Sequence, residues 1–451
     1  MKESAPRVFP EGFLFGTSAA PFQNEGNRGG ERDTDWDRFY QESGLAPLNR
    51  AHPDWWDREE AAADFRLLAD LGLSAQRYGI EWARIAPQKD RFSRPALARY
   101  REVFDTLTAL GLTPILTLHH FSVPNWFLQD GGFASRSATR RFSDFARMIA
   151  EEFADIHYWI TITEPNSYIA AGYLNGTRPP HRKGLISAAR CSYGLRKAHA
   201  TAYEAIHEHN PNAKVGVCHQ VFWLTPNHRD SLLDRTVTLV ARFVMTDLSP
   251  IFLDTSDFFG LNFFTGSHLK FNAKFGRTTF SPETVYLPQQ LPIGAERRSP
   301  SVPLSDTGWP VVPHYFFEAL NYVYARYGKP IFVTSNGIST TDNELRSYYI
   351  LSHLISLHRA ITRGIPVIGY SYWTSVDSRE WEHGMDERVQ FGLLGLDQAT
   401  GRRVRRDCAG LYGEIASSRR IDTARLAREY LNEEYRELLE HGETGFPPAT
   451  S

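Results

Sequence analysis

The chain has 451 residues, of which 42% are apolar and 23% charged, a composition typical of a globular protein with a large core. Its 50 lysines and arginines nearly balance 52 aspartates and glutamates, which argues against a nucleic-acid-binding protein because such proteins usually carry a basic excess. The N-terminus has no cationic segment before an apolar run, and no stretch of about 18 apolar residues occurs, so we expect neither secretion nor a membrane partner.

Apolar strand-like runs alternate with amphipathic helical runs, which favours an α/β fold with a parallel sheet. In chain order, the predicted strands are Phe13–Ser18, Ala75–Ile80, Thr113–His119, Tyr158–Thr163, Val215–His219, Phe258–Phe263, Ile331–Thr334 and Val367–Trp373. The predicted helices include Arg58–Leu71, Pro95–Leu110, Arg136–Phe153, Leu185–His209, His314–Tyr327 and Asn343–Thr362. Eight strands, each but the last clearly followed by a helix, indicate a (β/α)₈ TIM barrel that forms a single domain over residues 1–451. A doubly wound open sheet is the other candidate, but no glycine-rich phosphate loop follows the first strand.

In a barrel of this kind, the active groups lie at the carboxyl ends of the strands. Polar or aromatic residues stand at or near all eight of these positions: Gln23, Arg77, His120, Glu164, Gln220, Asn262, Ser335 and Trp373. Filling a core does not require so many polar side chains, although strand ends are often polar in any protein. We therefore expect a polar pocket at this end of the barrel.

Several short motifs resemble those of the family 1 glycoside hydrolases, which are retaining β-glucosidases and β-glycosidases with a (β/α)₈ barrel. The similarity runs from Phe9 to about Ile415 and rests on Phe13–Gly26, Trp36–Asp37, Glu81–Ile85, Leu118–Phe121, Trp159–Pro165, Asp257–Asn262, Thr307–Trp309, Glu380–Trp381 and Phe391–Leu393. Each motif is weak alone, whereas their order and spacing together are highly specific. The resemblance implies a small-molecule β-glycoside or oligosaccharide as the ligand and no cofactor.

The resemblance also implies roles for individual residues. Glu164 would be the acid/base, and burial among aromatic side chains would raise its pKa so that it can protonate a leaving oxygen near neutral pH. Arg77 would pair with the nucleophile, while Glu380 and Trp381 would contact the hydroxyls and the apolar face of a pyranose. The other implied sugar contacts are Gln23, His120, Thr163, Asn262, Phe264, Trp309, Trp373 and Phe391, with Trp309 on the leaving-group side. A solvated rim glutamate, a surface loop and ordinary core packing are the alternative interpretations of these residues.

The chain departs from the family motif at the nucleophile. The family has Thr-Glu-Asn-Gly on the seventh strand, whereas this chain has Thr-Ser-Asn-Gly at 334–337, so Ser335 stands at the position of the nucleophilic carboxylate. A serine hydroxyl has a pKa far above neutrality, and no motif supplies an adjacent base to activate it. Asp342 and Glu344 follow at the expected start of the next helix, so they cannot be assumed to reach the sugar.

Two smaller departures belong to the same pocket. Thr163 precedes the acid/base where the family has Asn, and Phe264 replaces a Tyr whose hydroxyl touches the nucleophile in the family. Arg77 would face an uncharged partner at position 335, which leaves this cation without part of its compensation. These changes predict a looser organisation around the missing nucleophile, whereas sugar binding is expected to persist.

Adjacent metal-binding residue types do not indicate a metal site. His119 and His120 are strand neighbours, so their side chains point to opposite faces, and we expect one to line the pocket and the other to face the helices. The resemblance implies that His120 is the one in the pocket. The same reasoning excludes Cys218 with His219 as a ligand pair. The three cysteines, 191, 218 and 408, have no metal-ligand spacing, and we interpret them as reduced thiols of a cytoplasmic protein.

Two hypotheses for the function follow. In the first, a β-glycosidase whose nucleophile is replaced by Ser335 hydrolyses β-glycosides very poorly but works as a glycosynthase, which joins an activated α-glycosyl fluoride to an acceptor. In the second, the chain is a naturally non-catalytic carbohydrate-binding pseudoenzyme. A barrel enzyme of another class, such as a metal-dependent isomerase, lacks a ligand cluster. In the loop after Trp381, His383 and Met385 stand in place of the Ser–Lys–Tyr group that binds phosphate in relatives specific for phosphorylated sugars, which disfavours a 6-phospho sugar. The sequence does not indicate an oligomeric state.

Overall fold

A closed barrel of eight parallel strands forms the centre of the protein, which confirms the predicted TIM barrel. The computed structural model describes residues 5–27, 32–45, 52–242, 255–272, 281–284, 298–299, 302–386 and 388–444. The strands are β1 (Leu14–Ser18), β2 (Ala75–Gly79), β3 (Thr113–His119), β4 (Tyr158–Thr163), β5 (Lys214–Gln220), β6 (Phe258–Asn262), β7 (Ile331–Asn336) and β8 (Val367–Trp373). Each strand pairs with the next, and β8 pairs with β1 to close the ring. The strand β7 continues two residues beyond its predicted end, so Ser335 lies within the strand.

A long helix follows every barrel strand. These helices are α1 (Arg58–Asp70), α2 (Arg94–Ala109), α3 (Arg136–Glu152), α4 (Leu185–His209), α5 (Leu232–Arg242), α6 (Pro313–Tyr327), α7 (Asn343–Thr362) and α8 (Asp407–Ser418). The helices α9 (Thr423–Tyr430) and α10 (Glu433–Thr444) come after them. In the described part of the chain, no helix combines the length and the apolar character that a membrane span requires.

The helix α8 corrects the expectation that the last strand has no clear helix after it. Its sequence contains two glycines, which lower its intrinsic helix propensity, so its stability comes from packing. A Cβ atom added at Gly413 would lie 2.5 Å from the backbone oxygen of Leu71, so glycine permits the close approach to the end of α1. The Tyr412 hydroxyl donates to the backbone oxygen of Gly16 at 2.8 Å and thereby ties α8 to β1.

Short helices and strands lie in the loops that connect the barrel elements. Short helices lie at Pro21–Asn24, Asp35–Glu42, Trp82–Ile85, Asn125–Gln129 and Pro165–Ile169, with a π-helical turn at Ala170–Leu174 and 3₁₀ turns at Gly132–Ala134 and Trp381–His383. Small antiparallel pairs join Arg7–Val8 with Arg420–Ile421, Arg298–Ser299 with Val302–Pro303, and Leu394–Leu396 with Arg403–Arg405. A three-stranded sheet is formed by Trp223–Pro226, Gly266–Asn272 and Ser281–Thr284.

The barrel interior has an apolar floor with a polar layer above it. The buried residues of the floor are Ala75, Ile115, Ile160, Cys218, Phe258 and Phe332. Alternate residues of a strand share a face, so Arg77 lies above Ala75 and Thr117 above Ile115 on the interior side. This arrangement places charged and hydroxyl side chains towards the carboxyl ends of the strands, in a region from which water is largely excluded.

Candidate active site

Arg77 is a fully buried cation at the centre of the polar layer. Its guanidinium donates to Thr117 Oγ1 at 3.1 Å, to the Thr334 backbone oxygen at 3.2 Å and to Ser335 Oγ at 3.0 Å. It also donates to the hydroxyl of Thr163. All four acceptors are uncharged, and no carboxylate in the described part of the chain lies within salt-bridge distance of this guanidinium. Burial accordingly lowers the pKa of Arg77 below its ordinary value, even though Cys218 and Glu164 act in the opposite direction.

Ser335 is held by three hydrogen-bonding groups and is 1% exposed. Its hydroxyl accepts from Arg77 and donates to the backbone oxygen of Thr334 at 2.7 Å. The hydroxyl of Ser18, at the end of β1, lies 3.3 Å from Ser335 Oγ. A base that would take the serine proton is absent from these contacts, so the described geometry does not activate Ser335 as a nucleophile.

Glu164 lies directly after β4 and is buried. Its backbone has φ +48°, in the left-handed region that costs a non-glycine residue about 1 kcal/mol or more, and such strain is concentrated at functional sites. Asn262 Nδ2 donates to Glu164 Oε1 at 2.7 Å. Burial raises the pKa of this carboxyl, and the hydrogen bond from Asn262 and the charge of Arg178 oppose the rise. A proton can therefore be held on Glu164 at a higher pH than on an exposed glutamate.

Asn262 connects the two sides of the pocket. Its amide nitrogen donates to Glu164, and its Oδ1 accepts from the Thr334 hydroxyl at 2.8 Å and from Cys218 Sγ at 2.9 Å. Burial raises the pKa of the Cys218 thiol to about 11, so this group stays neutral beside Arg77. The amide of Asn262 is thereby fixed in one orientation, with its donor towards the carboxyl group.

Gln23 and Glu380 occupy the wall formed by the loops after β1 and β8. Gln23 is fully buried and donates to the backbone oxygen of Arg379 at 2.6 Å, while its Oε1 has no hydrogen-bond partner among the described residues. A buried acceptor of this kind requires a donor, and a ligand hydroxyl would supply one. Burial raises the pKa of Glu380 to about 8 against the hydrogen bonds from Trp373 and Gln23.

His120, Trp373 and Trp381 form an aromatic wall beside this pair. The His120 ring lies 5.6 Å from the Trp373 ring and 5.7 Å from the Trp381 ring, measured between centroids. Burial and the charge of Arg77 lower the pKa of His120 well below its ordinary value, so the ring is neutral and can accept or donate one hydrogen bond. His119 instead contacts Phe133 on the helix side, as predicted.

Three more of the implied sugar-contact residues form a second aromatic group. Phe264, Trp309 and Phe391 have ring centroids 6.0 to 6.3 Å apart. Phe391 is buried, whereas Phe264 and Trp309 are partly exposed and can cover a ligand. The structure therefore brings these three residues together as one aromatic cluster.

An ion pair spans two loops at the rim and was not expected from the sequence. Arg178, after β4, donates two hydrogen bonds to Glu382, after β8, and its guanidinium lies 5.5 Å from the centroid of the Phe121 ring. Both charged side chains are partly exposed. The charge of Arg178 lowers the pKa of Glu164 and of Glu380, so this cation acts on both pocket carboxyls.

The carboxylates that follow Ser335 in the sequence do not enter the pocket. Asp342 caps α7 by accepting from the backbone N–H groups of Glu344 and Leu345 at 2.9 and 3.1 Å, as a helix N-cap does. Glu344 is exposed and hydrogen-bonds Asn432. Across the described ranges, no group of three or more histidine, cysteine, aspartate or glutamate side chains could hold a metal ion.

Sequence reasoning missed three groups that contact Arg77 or Ser335, namely Ser18, Thr117 and the backbone oxygen of Thr334. Ser18 and Thr117 could have been found from strand periodicity, because they lie on inward-facing positions near strand ends. The Arg178–Glu382 pair had no such signal, since 204 residues separate its partners.

Comparison with known proteins identifies the family to which the chain and its fold belong. A family model described as glycosyl hydrolase family 1 matches residues 5–246 and 235–421. Beta-glucosidase A of Thermotoga maritima is 26% identical over 92% of this chain and 99% of its own length, and a beta-galactosidase of Saccharolobus solfataricus is 28% identical over 91% and 95%.

Solved structures give the same result. A beta-glycosidase from Pyrococcus horikoshii superimposes with a TM-score of 0.81 at 32% identity and covers 95% of this chain and 100% of its own. A beta-glucosidase from Thermotoga maritima in complex with castanospermine superimposes with a TM-score of 0.78 at 26% identity, covering 92% of this chain and 99% of its own. The chain therefore belongs to glycosyl hydrolase family 1.

Proposed function

We propose that this family 1 protein binds a β-glycoside at the carboxyl end of its barrel and hydrolyses it very poorly. The observation that carries this proposal is the set of partners of Arg77, which are hydroxyl and carbonyl oxygens and include no carboxylate among the described residues. Retaining hydrolysis requires two carboxyl groups about 5–5.5 Å apart, one of which attacks the sugar. Glu164 supplies one carboxyl group, and Ser335 stands where the other belongs.

The residues around Glu380 support sugar binding. Gln23 has an unsatisfied buried acceptor, Glu380 is a buried carboxyl group, and the Trp381 ring offers an apolar face. Polar groups of this kind beside an aromatic ring suit a pyranose, which has hydroxyls at its edge and C–H groups on its face. The related beta-glucosidase of Thermotoga maritima binds castanospermine and glucoimidazole, which supports a small-molecule ligand here.

The same geometry supports transfer from an activated donor. An α-glycosyl fluoride would place its fluoride on the Ser335 side, where the hydroxyl and Arg77 can stabilise the departing anion. Glu164, in its carboxylate form, would take the proton from the acceptor hydroxyl as that oxygen attacks the anomeric carbon from the opposite side. A carbon–oxygen bond forms, the carbon–fluorine bond breaks, and the products are a β-glycoside and hydrogen fluoride.

The proposal is tested by two assays on the unmodified chain. We expect slow or no release of nitrophenol from para-nitrophenyl β-glucoside, and we expect coupling products when α-glucosyl fluoride is supplied with an aryl glucoside acceptor. Brisk hydrolysis of the simple glucoside would contradict the proposal, because it would require an attacking group that the proposed site lacks.

A non-catalytic carbohydrate-binding function is the second candidate. It is favoured by the grouping of Ser335, Thr163 and Phe264, since the resemblance assigns all three departures to the nucleophile side, while the other implied sugar contacts are kept. Calorimetry with glucose, cellobiose and an aryl glucoside distinguishes the two candidates. Saturable binding without turnover of the glycosyl fluoride favours the non-catalytic function.

A further inference from the structure

The side of the pocket that contains Ser335 holds a buried positive charge without a paired carboxylate. Arg77 is 0% exposed, and its four hydrogen-bond acceptors are neutral oxygens. The nearby Cys218 thiol is protonated because burial raises its pKa to about 11, and burial also favours the neutral form of Glu164. A buried charge is normally paired, because removing it from water is unfavourable unless an opposite charge compensates. The site is therefore suited to receive an anion.

Hydroxyl groups next to this cation can donate to such an anion. Ser335 and Ser18 lie 3.3 Å apart, and both side chains are buried near the carboxyl ends of β7 and β1, the two strands on either side of β8. The Ser18 hydroxyl otherwise makes a long contact of 3.4 Å with the Tyr372 backbone oxygen, so it can be redirected at low cost. A guanidinium flanked by serine hydroxyls is a common receptor for the oxygens of phosphate and carboxylate groups.

Space for an additional group is expected on the same side. Ser335 is much shorter than the glutamate of the family motif, Thr163 is shorter than asparagine, and Phe264 lacks the hydroxyl of tyrosine. Ser335 and Thr163 both accept a hydrogen bond from Arg77, so the differences at these two positions remove atoms directly beside the guanidinium. No charged side chain among the described residues takes the place of the missing carboxylate.

We propose that a small external oxyanion, either inorganic phosphate or a simple carboxylate, binds beside Arg77, Ser335 and Ser18 and acts as the nucleophile. This inference rests on the proposed function, because it requires a β-glycoside in the pocket with its leaving oxygen next to Glu164. The protein is then an inverting glycosyl transferase to an oxyanion, and the chain supplies the acid while the co-substrate supplies the nucleophile.

The chemical step balances without any other reactant. With monohydrogen phosphate, a phosphate oxygen forms a bond to the anomeric carbon as the bond to the leaving oxygen breaks. The electron pair of the broken bond goes to the leaving oxygen, which takes the proton of Glu164. The bound phosphate monoester then loses the proton it brought, which restores protonated Glu164. The products are α-glycosyl phosphate and the free alcohol, and the configuration at the anomeric carbon is inverted.

Water is a weaker candidate for this position than an oxyanion. The charge of Arg77 lies in a region of low dielectric constant, where it attracts an anion strongly and favours a neutral molecule only through its dipole. An anion also returns the local charge to the state that a carboxylate at position 335 would provide.

The test uses the full, unmodified chain with para-nitrophenyl β-glucoside in phosphate, formate, sulfate or chloride at equal ionic strength. We expect nitrophenol release to rise at least about tenfold in phosphate over chloride, to saturate with phosphate concentration, and to be accompanied by α-glucosyl phosphate in phosphorus NMR. Sulfate has a similar shape but is a poor nucleophile, and we expect it to inhibit the phosphate-dependent reaction. Acceleration by formate alone would identify a carboxylate as the oxyanion source.

Equal rates in all four salts, with no α-glucosyl phosphate or α-glucosyl formate, would overturn the inference. Calorimetry with glucose and coupling from α-glucosyl fluoride, run in parallel, distinguish this outcome from a failure of the proposed function: if both succeed, only the oxyanion is wrong. If glucose does not bind and no coupling occurs, the proposed function fails as well.

A variant gives a second, independent readout. Ser335→Glu places a carboxylate beside Arg77, so we expect it to lose both the acceleration by phosphate and the inhibition by sulfate. Circular dichroism confirms that the variant is folded. Persistence of the phosphate effect in this variant would show that phosphate acts elsewhere on the protein, which contradicts the proposed position.

Discussion

The two sides of the pocket differ in whether they contain a carboxyl group. On the Glu164 side, a buried carboxyl group receives a hydrogen bond of 2.7 Å from Asn262 and has a raised pKa. On the Ser335 side, a buried guanidinium contacts only neutral oxygens. In the proposed function, proton transfer and nucleophilic attack therefore depend on separate sets of side chains, so one of them can be altered while the geometry of the other is retained.

A carboxylate introduced at position 335 should have the largest effect, because it removes the difference between the Ser335 side and the Glu164 side of the pocket. We expect Ser335→Glu to raise kcat/KM for para-nitrophenyl β-glucoside by about 10³-fold or more, because it supplies an anionic nucleophile beside Arg77 and opposite the existing acid. Ser335→Gln is the matched control, since it has the same size without the charge. An increase of similar size in both variants would mean that filling space, rather than charge, limits the unmodified protein.

Removing the carboxyl group from the other side should stop transfer. In Glu164→Gln, we expect coupling from α-glucosyl fluoride to slow by about 10²–10⁴-fold, the usual contribution of a positioned general base. Calorimetry should give nearly unchanged glucose affinity, because the amide keeps the shape of the side chain. Coupling at the original rate would exclude Glu164 as the base.

The third carboxyl group, Glu380, allows a test through stability. Burial raises its pKa from 4.5 to about 8, so between these values the folded protein holds a proton that the unfolded chain has released. The free energy of unfolding must therefore fall as the pH rises through this window. We expect Glu380→Gln to have a flatter dependence of the melting temperature on pH between about 5 and 8. The exposed Glu151→Gln is the control and should follow the unmodified chain; equal slopes in all three proteins would contradict the prediction.

The smallest expected effect concerns Arg178, which acts on Glu164 from the rim. Its positive charge lowers the pKa of Glu164, so Arg178→Gln should move the acidic limb of the coupling rate to higher pH. The limb arises because coupling needs the carboxylate form of Glu164. Arg147→Gln, at an exposed ion pair with Glu208, is the control for a general loss of positive charge. A shift in the opposite direction, or an equal shift in the control, would exclude a local effect of Arg178.

The barrel was predictable because its strands are short apolar runs bounded by polar residues, and parallel strands buried on both faces show this pattern. The centre of the site was predictable for the same reason, since residues such as Asn262 and Glu164 stand next to strand ends. By contrast, α8 contains two glycines and is stabilised by contacts with β1 and α1, which no local pattern reveals. The Arg178–Glu382 pair likewise depends on how two distant loops meet in space.

The ring closure between β1 and β8 has a consequence for biosynthesis. Leu14 to Ser18 pair with Gly369 to Trp373, so one edge of β1 has no neighbour until nearly the whole barrel has left the ribosome. An open edge of this kind attracts wrong partners, and a nascent chain in this state needs protection from aggregation. Gln23 follows β1 and Glu380 follows β8, so these two residues come together only when β8 pairs with β1. Capture of a glycoside by a newly made chain would thus report that the barrel has closed.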